Sequence, residues 1–125
     1  MKLVSYSAPN SSKVGILVNG KIYPLAETVA SLGLPAVPET MRGFLNAGEA
    51  AMITAKKAEQ MLKEGNGKTA GASLENITLL APVPEPTSCR DGYAFRQHVA
   101  AARRNRKVPM IEEFDQYPIF YFTNH

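Results

Sequence analysis

Two apolar runs, Val14-Gly-Ile-Leu-Val18 and Lys21-Ile-Tyr-Pro-Leu25, are separated by nothing but Asn19-Gly20. A two-residue connection turns the chain straight back on itself, and Asn-Gly tolerates the positive φ angles that such a turn needs. The beginning of the chain is therefore committed to an antiparallel pair. Lys2-Leu-Val-Ser-Tyr6 reads as a further strand. A short helix is expected from Leu25 to Leu32, ended by Gly33. Pro35 and Pro38 then introduce a second helix with Met41, Phe44 and Leu45 on one face. A third begins near Gly48: Ala51, Met52, Ala55, Ala58, Met61 and Leu62 recur at helical spacing, with Lys56, Lys57, Glu59 and Lys63 opposite. It stops at Gly65-Asn-Gly67, and the polar stretch to Ser73 reads as a linker or exposed loop.

Ile77-Thr-Leu-Leu80 reads as a short strand, and the prolines at 82, 84 and 86 are expected to hold the next segment extended. A helix from about Gly92 to Arg106 follows, and Pro109 ends it. Tyr117-Pro-Ile-Phe-Tyr-Phe122 is a continuous apolar and aromatic run of the kind found in strands buried on both faces. Such a strand needs covering layers, and the roughly fifty residues after Ser73 offer only one helix and two short strands. The expected fold class is α+β. A small antiparallel β unit with helices occupies residues 1–72, and residues 73–125 supply the first elements of a β-rich domain that continues past them.

With 45% hydrophobic and 20% charged residues, the 125-residue chain has globular composition. No apolar run approaches the ~18 residues that a membrane span requires. Met1-Lys-Leu-Val-Ser-Tyr-Ser lacks the apolar stretch and cleavage site of a signal peptide. One cysteine, Cys89, makes no internal disulfide, so a cytoplasmic location fits, and a buried, inert thiol is expected there. The net charge of +3 is unevenly spread, with Arg96, Arg103, Arg104, Arg106 and Lys107 falling within twelve residues. Such a patch attracts nucleic acid, an anionic substrate or an acidic partner. Against nucleic acid, no aromatic residues interleave with these charges, and no zinc, helix-turn-helix or RNA-recognition motif accompanies them.

The chemistry concentrates in Thr87-Ser-Cys-Arg-Asp91-Gly-Tyr93-Ala-Phe-Arg-Gln-His98, which places an acid, a phenol and an imidazole within eight residues. If Asp91 precedes or caps the helix and His98 lies about two turns in, both can face one pocket. A carboxylate able to bind a metal beside an imidazole that titrates near neutrality is the start of a hydrolytic site.

The segment Ile77 to Asn124 resembles the fumarylacetoacetate hydrolase family. Its residues are Leu79-Leu-Ala-Pro-Val-Pro, Asp91-Gly-Tyr93, Arg96-Gln-His98 and Tyr117-Pro-Ile-Phe-Tyr-Phe-Thr-Asn124. The N-terminal hairpin looks like the small domain that precedes the catalytic one in that family. The resemblance implies hydrolysis of carbon–carbon bonds in β-diketo acids or acylpyruvates, or the decarboxylation, hydration or isomerisation of related oxo-acids. It also implies a divalent metal (Mg²⁺, Mn²⁺ or Ca²⁺), a small oxo-acid substrate and a homodimer. By motif, His98 matches the general base, Asp91 an acidic metal ligand and Tyr93 a substrate hydrogen-bonding tyrosine, while Arg103 and Arg106 are candidates to hold a substrate carboxylate.

The family's remaining metal ligands, a Glu-x-Glu pair and a later Asp, have no counterpart here, since Glu112 and Glu113 are adjacent. Ala101 stands where a glutamate would partner the histidine. The chain thus reads as the N-terminal portion of such an enzyme, binding metal poorly and inactive alone. Two readings of other classes stand beside it: a non-catalytic interaction or dimerisation domain, and a basic nucleic-acid-binding module.

Overall fold

In the computed structural model, which describes residues 1–122, Asn19 and Gly20 adopt φ values of +49° and +76°. Both lie in the left-handed region of a type I′ turn, whose twist matches that of the strands it joins. Those strands are β2 (Ser11–Val18) and β3 (Lys21–Pro24), paired from Val18↔Lys21 to Gly15↔Pro24. β1 (Leu3–Ala8) lies antiparallel on the other side of β2, from Leu3↔Ile16 to Ala8↔Ser11. A second tight turn at Pro9-Asn10 therefore joins β1 to β2. The fourth strand, β4 (Ala72–Ser73), pairs with β3 at Lys21↔Ser73 and Ile22↔Ala72, in the order β1-β2-β3-β4. The stretch expected to be a linker thus ends inside the sheet.

Alternation along β2 decides which face becomes the core. Val14, Ile16 and Val18 point to one side and are buried there. Onto that side pack α1 (Leu25–Ser31), α2 (Met41–Asn46) and α3 (Gly48–Lys63). They contribute Leu25 and Val29, then Met41 and Phe44, then Ala51, Ala55, Ala58 and Leu62. The alanines let α3 approach closely, and Phe44 fills the largest space at 1% exposure. Thr40 caps α2 by accepting the Gly43 N–H at 3.1 Å. α3 closes through paired bonds, Gly65 N–H to Leu62 C=O and Asn66 N–H to Met61 C=O, with Gly65 at φ +81°. Leu45 does not share the buried face: it sits one step of about 100° beyond Phe44 and is 48% exposed.

The expected strand at Ile77–Leu80 is reduced to one isolated bridge, Tyr6↔Leu79. Ser7 N–H donates to Thr78 C=O and Leu80 N–H to Ser5 C=O, both at 2.9 Å, and Ser5 Oγ donates to Pro82 C=O at 2.8 Å. Residues 82–85 then bend, departing from the extended path expected of the prolines. These contacts bind residues 77–83 to the first sheet, so the described chain forms two compact units, Met1–Glu85 and Pro86 onward. The expected boundary lay at residues 72 and 73. The fold class is α+β, as expected.

The second unit holds β5 (Arg90–Gly92), α4 (Arg96–Asn105), a 3-10 turn at Glu112–Asp115 and β6 (Phe120–Phe122). β5 and β6 pair antiparallel, with Asp91 opposite Tyr121 and Gly92 opposite Phe120. α4 starts four residues later than expected, because Arg90–Gly92 are drawn into the strand. Asp91 is therefore no helix cap; the cap position is Phe95, which makes no side-chain capping bond. Nor is the aromatic run buried on both faces: only its end forms strand, with Tyr117 64% and Phe120 50% exposed. Thr123 and Asn124, the last residues of the motif, lie outside the described residues.

Two consequences for stability can be measured. A Cβ at Gly15 would stand 2.6 Å from Ile22 Cγ2 and 3.2 Å from Tyr6 Cε1, both on buried side chains. Gly15→Ala is expected to destabilise the first unit by about 1–3 kcal/mol, seen as a lower urea midpoint at unchanged slope. An unchanged midpoint would show that the contact relaxes freely.

Glu59 accepts Lys63 Nζ at 2.9 Å and lies 3.7 Å from the Met1 ammonium. The hydrogen bond from Lys63 chiefly holds its carboxyl below the ordinary 4.5; burial opposes this, and the Lys63 and N-terminal charges assist. The stability it adds is complete above the ordinary carboxylate value and is lost as pH falls through the lowered native one. Glu59→Gln should therefore lower Tm at about pH 7 and leave it unchanged near about pH 2. A Tm difference that persists in acid would contradict this.

Candidate functional site

The side-chain periods of a strand and a helix bring four chemically useful groups together in the second unit. Residues two apart in an extended chain share a face, so Asp91 and Tyr93 point the same way. The ladder continues past β5, because Tyr93 N–H donates to Ile119 C=O at 3.1 Å. Residues three apart on a helix share a face as well, which aligns Arg103 with Arg106. These four residues, with Ile119 and Phe120, line one cavity of about 310 Å³.

Arg103 is anchored within this wall by its Nε, which donates to the Pro109 carbonyl. The chain reaches back there because α4 ends in the same doubly bonded closure as α3. Lys107 N–H donates to Arg104 C=O at 3.0 Å and Val108 N–H to Arg103 C=O at 3.1 Å, with Lys107 at φ +56°. The side chains of Arg106 and Asp91 have no hydrogen-bond or ion-pair partner among the described side chains. Arg96 faces elsewhere, its Nε donating to both carboxylate oxygens of Asp115 at 3.0 and 3.2 Å.

His98 is exposed and does not line the cavity. It stands five residues before Arg103, about 140° away around the helix. Its ring meets Tyr93 edge-on, with centroids 6.3 Å apart, and Phe114 meets Tyr93 in the same way at 6.3 Å. Tyr93 is thus shared between the cavity wall and the packing of the unit. The expectation that Asp91 and His98 face one pocket is not what the structure shows: the cavity gathers Asp91, Tyr93, Arg103 and Arg106, and His98 meets only Tyr93.

Sequence reasoning passed over three contributors. Ile119 and Phe120 form the apolar part of the wall, and the Pro109 carbonyl fixes Arg103. The register of β5 against β6 places the first two, and spacing along the chain does not reveal a register. The Pro109 carbonyl had a signal, since a proline just past a helix commonly follows a closing turn. Cys89, expected to be buried, is exposed.

The basic run divides. Arg103 and Arg106 line the cavity, while Arg104 lines a separate groove with Arg96, Gln97 and Ala100.

A divalent cation of the Mg²⁺, Mn²⁺ or Ca²⁺ type takes about six or more oxygen ligands. Among the described residues no three His, Cys, Asp or Glu side chains are grouped to hold a metal. Asp91 alone does not fit that requirement. What these residues can do themselves is bind an anion, donate a hydrogen bond from a phenol and accept a proton on an imidazole. Among the described residues no helix is long and apolar enough to cross a membrane. No family model and no curated protein matches the chain.

Proposed function

We propose that this chain is the N-terminal part of a cytoplasmic hydrolase that cleaves carbon–carbon bonds in β-diketo acids or acylpyruvates, in the manner of fumarylacetoacetate hydrolases. The observation that carries the reading is the cavity joining Arg103 and Arg106 to Tyr93 and Asp91. A guanidinium donates two parallel hydrogen bonds to a carboxylate, so the arginines suit the acid end of such a substrate. The Tyr93 hydroxyl suits an oxo group. In the overall reaction the oxygen of water bonds to the carbonyl carbon, the carbon–carbon bond breaks, and a proton ends on the departing carbon.

On this reading His98, which meets Tyr93 and does not itself line the cavity, would take the proton from water. Asp91 would be one oxygen donor toward the Mg²⁺, Mn²⁺ or Ca²⁺ of the intact enzyme, and no cluster of three such side chains accompanies it among the described residues.

Calorimetric titration with 2,4-dioxovalerate in Mg²⁺ tests this. Binding is expected without turnover by the 125-residue chain, and Arg106→Gln should weaken it about tenfold, as the loss of a charged hydrogen-bonded pair does. Absence of binding, or binding indifferent to Arg106, would overturn the reading.

A second role, assembly as a homodimer, is favoured by the large apolar side chains that the second unit leaves in solvent. Phe95 is 81%, Tyr117 64% and Phe120 50% exposed. Light scattering is expected to give the mass of a dimer, and a monomer across the accessible concentration range would refute it.

A further inference from the structure

The charges around the cavity do not satisfy one another. Arg103 and Arg106 bring two cations and Asp91 brings one anion, yet no ion pair joins them. Arg103 has committed its Nε to the Pro109 carbonyl and keeps its two terminal nitrogens, while the side chains of Arg106 and Asp91 are unpartnered among the described side chains. A carboxylate and a guanidinium on one wall that do not meet are suited to a ligand that carries both signs itself.

The spacing narrows the class. Residues three apart on one helix face have Cβ atoms roughly 5–6 Å apart, a separation that the two carboxylates of a short-chain diacid can match. Each guanidinium takes one carboxylate through paired donors. β5 supplies the opposite sign through Asp91, an acceptor for an ammonium group. Tyr93 and Ile119 offer apolar surface to the methylenes between, and the cavity's volume of about 310 Å³ accommodates a molecule of this size.

From this pattern we propose that the cavity binds an acidic α-amino acid, with its carboxylates on Arg103 and Arg106 and its ammonium on Asp91. The ligand's net negative charge complements the net positive charge of the three side chains. This goes beyond the hydrolase reading, because it requires no metal and uses only side chains that line the cavity.

The test is an NMR titration of the full chain with L-glutamate, glutarate and 2-oxoglutarate, each in EDTA and in Mg²⁺. L-Glutamate in EDTA is expected to shift the amides of residues 91–93 and 103–106, and glutarate, lacking the amine, to bind about tenfold more weakly. Asp91→Asn should abolish the preference for glutamate without weakening glutarate binding. Arg106→Gln should weaken both, and Arg104→Gln, in a different groove, should weaken neither; the amide spectrum of each variant reports whether it is folded. Glutarate binding as tightly as glutamate, or a preference that survives Asp91→Asn, overturns the proposal. Binding of 2-oxoglutarate only with Mg²⁺, without glutamate binding, overturns it. No binding by any of the three overturns it, and leaves the hydrolase reading to its own 2,4-dioxovalerate titration.

Discussion

Three paired residues hold the chemistry of the second unit in place. Arg90, Asp91 and Gly92 oppose Phe122, Tyr121 and Phe120, and the Tyr93–Ile119 hydrogen bond adds one more step. Because successive strand residues face opposite ways, this register alone determines that Asp91 and Tyr93 share the cavity. A slip by one residue would bring Arg90 and Gly92 to that face instead, replacing an acid and a phenol by a cation and a bare backbone. The helix then need only present arginines three apart.

The two units are stabilised differently. In the first, a row of β-branched residues on β2 meets three helices, and Ile16, Leu25, Val29, Phe44, Ala55 and Ala58 are all essentially inaccessible to water. In the second, Val99 is the one fully buried apolar side chain among the described residues. A segment of about forty residues cannot enclose much more. Tyr93 supplies part of the difference, since each edge-on ring contact is worth about 0.5–1.5 kcal/mol. The exposed Arg96–Asp115 pair contributes at most about 1 kcal/mol, so packing about Tyr93 and Val99 outweighs it. The residue that lines the cavity is therefore also one that holds its unit together.

How much could be read from the sequence follows from which interactions are local. Asn19-Gly20, the alanine stripe of α3 and the ends of α1 and α3 were legible because each is decided within a few residues. Asp91, Tyr93, Arg103 and Arg106 were singled out from spacing and resemblance, and their meeting around one cavity rests on two local periods together with the register of β5 against β6. The misreadings are non-local. Ala72–Ser73 become strand only because β3 has an open edge, and Arg90–Gly92 leave the helix only because Phe120–Phe122 pair with them. Leu45 was a local error, a residue placed on a stripe that Phe44 already completes. His98 was assigned to the same pocket as Asp91, and the turn of the helix carries it away from that wall.

The hydrogen bonds between residues 78, 80 and 82 and Ser5 and Ser7 have a further effect on the first sheet. Without them β1, six residues long, would present an open row of amides and carbonyls along one rim. Such a rim recruits strands from neighbouring molecules and seeds fibrous association. The returning segment occupies it without itself becoming a new long strand, and the opposite rim is formed by β4, two residues in length. Neither border of the sheet is left as a template on which other copies could stack.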